Sequence, residues 1–289
     1  MNPAIAVIDI GSNSVRLMTA GTESHEVRAI RKILCTTRLA KGIDTTGMLS
    51  ADRMEATAEA IKRYRQIADD LNVPVIAYAT SAVRDAKNRD GFISLVREKT
   101  GVCVRVLSGE EEGNFAFSAV TGGAGTVFDI GGGSFQIVTK ERSLSFPCGC
   151  VRAKEQCDAN DPEVLSDRLF SWIDAHADVP DTVPTPVYGV GGTITSIGAL
   201  LSMQTLFDPK HLSTITLPKL DSLLKSLSKL SESERLRHPL LLKRGDVILQ
   251  GATILKYMML RTHTETVIPS DRDGMEGIAE TYLCEHGSI

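Results

Sequence analysis

Apolar positions along the chain follow two rhythms. Leu49–Leu71 carries them at every third or fourth residue, which predicts a helix with Ser50 as its N-cap. Val73–Ala79 is a short apolar run and predicts a strand. Asp90–Thr100 predicts a helix closed by Gly101, and Val102–Leu107 a strand. Ser108–Thr121 opens with Ser108 followed three residues later by Glu111, the reciprocal capping pattern of a helix start. Further on, helices are predicted at Asp161–Ala177, Thr193–Leu201, Leu217–Leu230, Arg244–Arg261 and Arg272–Glu285. A strand at Pro186–Val190 leads into Gly191-Gly192-Thr193. Alternation of strands with helices places the chain in the α/β class.

Within this alternation one pattern occurs twice. Residues 7–14 read Val-Ile-Asp-Ile-Gly-Ser-Asn-Ser, and residues 127–134 read Val-Phe-Asp-Ile-Gly-Gly-Gly-Ser, an offset of 120 with five of eight positions identical. Each copy is followed by an alternating run, Val15-Arg16-Leu17-Met18 and Phe135-Gln136-Ile137-Val138. Both therefore predict a strand, a tight glycine turn and a second strand. Two such hairpins about a domain apart imply a duplicated, two-lobed protein, with residues 1–122 in one lobe and 123–289 in the other. Gly122-Gly123-Ala124-Gly125 is the expected linker, and the last helix is left open to pack back on the first lobe.

Composition narrows the class. The 289 residues are 42% hydrophobic and 24% charged, so the chain can bury a core and is neither disordered nor fibrous. Thirty-two basic against thirty-six acidic residues give a net charge of −4, with no overall signature of a nucleic-acid binder. No apolar run approaches the ~20 residues that span a bilayer, and the first residues lack the pattern of a signal peptide. Six cysteines are too sparse for a disulfide framework, and a reducing, cytoplasmic setting is expected.

The chemistry is concentrated in the turns. Asp9 and Asp129 each sit at a strand end before small residues, where a carboxylate can hold a hydrated Mg²⁺ and turn amides can cradle phosphate. Gly189–Ser196 places a third glycine turn, with Gly191, Gly192 and Thr193, at a helix N-terminus, a natural anion site. Arg84, following a strand, could bind phosphate or pair with Asp85. Glu110-Glu111-Glu112 at a helix start suits the helix dipole, and beside a phosphate site offers a base. Cys148-Gly149-Cys150 with Cys157 does not have the spacing of a standard zinc set.

Taken in order, these motifs resemble the exopolyphosphatase/guanosine pentaphosphate phosphatase (Ppx/GppA) family of the actin–hexokinase–sugar kinase superfamily. The matching pieces are Asp9–Ser14 with Leu17, Ala79–Ala86 with Asn88, Leu107–Glu112, Asp129–Ser134, Gly189–Thr195, Arg244–Ile248 with Gly251-Ala252, and Ser270–Arg272 with Glu276-Gly277. The resemblance implies two ribonuclease H-like lobes of the actin-like ATPase fold with a cleft between them. It implies removal of a terminal phosphate from polyphosphate or guanosine pentaphosphate, usually with Mg²⁺. It assigns the metal carboxylates to Asp9 and Asp129, and phosphate binding to Gly11, Ser12, Asn13 and Ser14, to Gly131, Gly132, Gly133 and Ser134, and to Gly191, Gly192 and Thr193. Arg84 would bind a phosphate, and the base would be Glu111, with Glu112 as second choice. The partners expected are these substrates, with neither nucleic acid nor membrane; a homodimer is compatible with the sequence.

One position departs from the pattern. Where the family usually has Glu, two residues after the serine of the second turn, this chain has Gln136. An amide can neither take a proton nor neutralise a cation, although a Gln can orient an attacking water. Alongside an active hydrolase, the sequence therefore keeps open a weakly active or regulatory binding protein, and a small-molecule kinase on the same fold.

Overall fold

The computed structural model describes residues 2–24 and 26–286. In the first repeat, Ile5–Ile10 (β1) turns back through Gly11-Ser12-Asn13 into Ser14–Glu23 (β2), antiparallel, with Asp9 opposite Arg16. All of β1 is buried, as expected for a strand covered on both faces. Glu26–Thr36 (β3) pairs antiparallel with β2, Val75–Ala79 (β4) parallel with β1, and Val104–Val106 (β5) parallel with β4. The resulting order is β3-β2-β1-β4-β5. On one face, Ile5, Val7, Met18, Ala20, Val27 and Tyr78 pack against Met275, Ile278, Ala279 and Leu283 of the helix Gly274–Glu285. The helix Ala51–Asp70 packs against β1 and β2, and its Tyr64 hydroxyl donates to the Val15 carbonyl at 3.3 Å.

The second repeat builds the same sheet. Thr126–Ile130 (β6), Phe135–Thr139 (β7), Ser143–Phe146 (β8), Val187–Val190 (β9), Ile215–Thr216 (β10) and Thr266–Pro269 (β11) lie in the order β10-β11-β9-β6-β7-β8. Strands β8-β7-β6-β9-β11 repeat the antiparallel and parallel pairings of β3-β2-β1-β4-β5, and Asp129 stands opposite Gln136 as Asp9 stands opposite Arg16. The duplication thus extends from an eight-residue motif to a whole ribonuclease H-like sheet, giving the α/β, actin-like fold class expected.

Chain contacts divide the protein into a unit of residues 1–119 with 272–289 and a unit of residues 120–271. The boundary lies inside the helix Gly109–Thr121, slightly before the glycine linker, and the last helix belongs to the first unit. That helix comes close to Gly109–Thr121: a Cβ at Gly277 would lie 2.1 Å from the Phe115 carbonyl oxygen. The helix expected from Arg244 begins only at Ile248. Residues 244–247 instead form turns, with Gly245 against the Arg235 backbone, where a Cβ would come within 2.8 Å. Among the described residues, no helix is long and apolar enough to cross a membrane.

Candidate active site

In the first unit, the turn after β1 is closed by the Gly11 amide donating to the Ser14 carbonyl at 3.1 Å. The chain leaving β3 folds back onto it. Thr37 and Arg38 amides donate to the Asn13 carbonyl at 3.1 and 2.9 Å, and the Ala40 amide to the Ser12 carbonyl at 3.0 Å. Ser12 Oγ lies 2.9 Å from Ser81 Oγ, at the start of the short helix Ser81–Asp85 that carries Arg84. Glycine turn, end of β3 and the Arg84 segment therefore meet at one end of the strands of the first sheet.

Asp9, expected to hold Mg²⁺, is paired with an arginine through one oxygen, while its Oδ1 is buried with no hydrogen-bond partner among the described residues. Asp9 is 6% exposed, and its Oδ2 accepts from Arg16 Nε at 2.8 Å and Nη2 at 2.5 Å. Arg16 Nη1 donates to Asp273, the N-cap of the last helix, whose Oδ1 accepts from the Met275 amide at 2.9 Å. Burial raises the Asp9 carboxyl above its ordinary pKa, and Arg16 offsets this only in part. Burial also opposes the Asp273 charge, but Arg16, Lys32 and the Met275 amide hold its carboxyl below the ordinary value. Asp9 is thus a counter-ion of an arginine built into the opposite strand.

The two glutamates offered for the base role, Glu111 first and Glu112 as second choice, are separated by helix geometry. Successive helical residues point about 100° apart, so Glu111 and Glu112 face different surroundings. Glu111 accepts from the Ser108 amide at 2.8 Å, returns its own amide to Ser108 Oγ at 3.1 Å, and pairs with Arg105. The Ser108 amide, ahead of the Ser108 hydroxyl and Arg105, lowers its pKa. Glu111 is therefore the acid of its helix cap, a role that leaves little basicity. Glu112 has a side chain only 19% exposed, and its Oε2 lies 3.4 Å from Arg84 Nη1. Arg84 is in turn anchored by donating to the Leu107 carbonyl at 3.0 Å, with Asp85 farther off at 3.8 Å.

In the second unit, Gly131 closes its turn on the Ser134 carbonyl at 2.9 Å. Cys150 and Val151 amides donate to the Gly131 and Gly132 carbonyls at 3.0 and 2.8 Å. Gly149 is needed for this approach, since a Cβ there would lie 2.3 Å from the Ser134 nitrogen. Gln136 is 2% exposed, and its Oε1 has no hydrogen-bond partner among the described residues. Gly191 has φ +84°, and a Cβ on it would sit 2.8 Å from Asp129 Oδ1. A Cβ on Gly192 would overlap the Arg244 guanidinium at 1.9 Å. Arg244 thus lies over the start of the helix Gly191–Leu201, whose N-cap Val190 offers no side-chain bond to the helix amides. The Cys150 thiol is pushed up to about 11 by burial, with Arg244 and Thr193 pulling the other way.

The sequence does not single out Arg244 as a site residue, although its motif is part of the family pattern. It stands 52 residues from Gly192 in the chain, and only the fold brings the two together. Its loop is held by Arg235, 2% exposed, which donates to the Gly245 carbonyl at 3.0 Å and the Leu230 carbonyl at 2.6 Å.

Among the described residues, no group of three or more His, Cys, Asp or Glu side chains is placed to hold a metal ion. Asp129 and Gln136 offer one carboxylate and one neutral, unpartnered amide oxygen on facing strands. That donor set fits Mg²⁺, which keeps most of its shell in water and phosphate oxygens and needs few protein ligands.

The model of the Ppx/GppA phosphatase family matches residues 17–286. The chain belongs to that family. It is 30% identical to exopolyphosphatase 2 of Mycobacterium tuberculosis over 95% of this chain and 97% of that one. Identity to exopolyphosphatase 1 of the same organism is 27%, over 91% and 83%. The crystal structure of the Aquifex aeolicus Ppx/GppA family member matches with a TM-score of 0.78 at 28% identity, covering 98% of both chains. In this Ppx/GppA protein the two glycine turns thus sit on equivalent hairpins whose facing residues differ, Arg16 in one and Gln136 in the other.

Proposed function

We propose that this Ppx/GppA protein is a hydrolase that releases the terminal phosphate of inorganic polyphosphate or guanosine pentaphosphate, with Glu112 as base. The observation that carries this reading is the half-buried Glu112 carboxylate beside an anchored Arg84. Glu112 would take a proton from the water that attacks the terminal phosphorus, as the bond from that phosphorus to the bridging oxygen breaks. Arg84 would balance charge on the phosphoryl oxygens. In the second unit, the amides of Gly132 and Gly133, the Ser134 hydroxyl and the helix start at Gly191 and Gly192 would bind phosphate oxygens. Asp129 and Gln136 would hold Mg²⁺, which when bound supplies positive charge to phosphate oxygens. The names of the mycobacterial relatives support the reaction class.

Phosphate release with Mg²⁺ on both substrates tests the reading. Glu112→Gln should lower kcat by about 10²–10⁴-fold with binding retained. Glu111→Gln should instead lower the melting temperature, through a weakened cap worth about 0.5–2 kcal/mol, and leave kcat within a few-fold. Full turnover in Glu112→Gln would refute the assignment, and phosphate transfer to an acceptor without net release would make the protein a kinase. Gln136 favours a second reading, a phosphate-chain binder with weak turnover. Tight binding with no release by the wild-type protein would establish that one.

A further inference from the structure

The helix Gly109–Thr121 carries Glu112 in its first turn, so the placement of the whole helix decides where that carboxylate lies. Its near end is fixed by the reciprocal Ser108–Glu111 cap. At its far end the last four carbonyls have no partner within the helix. One of them, Ala119, is taken by a residue 153 positions away: Arg272 Nε donates to it at 2.7 Å. A cation at a helix C-terminus also suits the helix dipole. The same guanidinium donates to the Val27 carbonyl of β3 at 3.3 Å and pairs with Glu280 of the last helix. Arg272 therefore joins three elements of the first unit at one point. The last helix begins two residues later and lies against the same helix. A Cβ on Gly274 would stand 3.7 Å from the Glu112 carbonyl oxygen and 3.9 Å from the Ala116 nitrogen. At Gly277 the approach is closer still, to the Phe115 carbonyl. The contacts of Arg272, Gly274 and Gly277 thus run from Glu112 to Ala119.

We propose that Arg272 is a positioning residue for Glu112. It grips the far end of the helix that presents the base, and it opens the segment that supports the turn on which the base sits. The inference rests on the reading of Glu112 as that base. Ala119 is seven residues from Glu112, about two turns or 10 Å along the helix, so the grip at its carbonyl reaches Glu112 through the helix backbone. Precision matters there. A general base works within about 2.6–3.2 Å of the atom that carries the proton, and a misplacement of about 1 Å can cost up to ~10²-fold in rate. A helix capped at its first turn alone can still fray or slide at the other end. Arg272 removes that freedom, and the two glycines let the last helix come close enough to bear on the turn of Glu112 itself.

The test is a double-mutant cycle on phosphate release from tripolyphosphate by the full chain, with amide hydrogen exchange on the same proteins. Arg272→Met should lower kcat about tenfold and leave KM nearly unchanged. Arg272→Lys keeps the charge and a donor, and should recover part of the loss. In a Glu112→Gln background, Arg272→Met should cost no further turnover, because the group it positions is gone. Exchange at residues 112–119 should quicken in Arg272→Met, while β6, β7 and β9 keep their protection. A loss of turnover that persists undiminished in Glu112→Gln overturns the proposal. So does unchanged exchange along the helix in Arg272→Met, and so does an equal rise in exchange in both sheets, which would make Arg272 a general brace. Full turnover in Glu112→Gln refutes the base reading instead. Faster exchange at residues 112–119 in Arg272→Met would then still support Arg272 as the residue that positions this helix.

Discussion

Arg16 and Gln136 stand at the same place in two copies of one hairpin, each facing the aspartate before a glycine turn. In the first copy the guanidinium supplies a permanent counter-charge to Asp9. In the second, Gln136 stands opposite Asp129, and its side-chain oxygen has no hydrogen-bond partner among the described residues. Gln136→Glu should therefore lower the half-saturating Mg²⁺ concentration on the order of tenfold and raise activity at low Mg²⁺. The same variant, with a carboxylate at a position 2% exposed, should melt at lower temperature in chelator and recover on adding Mg²⁺. A Mg²⁺ requirement and a melting temperature that both stay put would remove Gln136 from the cation site. The turns themselves are legible in the sequence because the repeat is nearly verbatim. The difference between them is not legible in the turns, since it resides in the facing strand, at the same offset of 120. The choice between Glu111 and Glu112 is half legible: the Ser108–Glu111 spacing marks Glu111 as the cap acid, while the approach of Glu112 to Arg84 comes only from the fold.

Among the elements, those covered by neighbours announce themselves and those at the margins do not. Buried β1, β4, β6 and β9 read clearly as apolar runs. The strand β3 does not, because as an edge strand it buries Val27 but exposes the rest of Glu26–Lys32, too little to impose alternation. Helix contacts are likewise invisible until two backbones meet. Gly277 sits where the last helix crosses the Phe115 carbonyl, so Gly277→Ala should destabilise the protein by about 1–3 kcal/mol or more, read as a lower urea midpoint. Gly274 is the control: a Cβ there meets the Glu112 carbonyl oxygen at an ordinary 3.7 Å, and Gly274→Ala should change stability by no more than ~0.5 kcal/mol. Equal midpoints for the two variants would mean that the helices can slide apart at little cost.

At the scale of the whole molecule, the first unit is discontinuous: residues 272–286 complete a core begun by β1 and β2. Met275, Ile278 and Leu283 each bury a large side chain there, worth roughly 1.5–3 kcal/mol apiece. Together they rival much of the ~5–15 kcal/mol that stabilises a typical domain. Ending the chain at Asp271 should therefore strip hydrogen-exchange protection from β1, β2 and β4 while leaving β6, β7 and β9 protected. Equal protection in both sheets of the shortened chain would show that the first unit does not depend on its last helix. The arrangement also bears on how the protein emerges from the ribosome. Residues 120–271 are contiguous and leave the exit tunnel as a finished set, whereas the unit that starts first waits for the segment made after them. Domains ordinarily mature in the order in which they are translated. Here the later-encoded half can close first, and the opening strands must be kept from aggregating until the far end of the chain arrives.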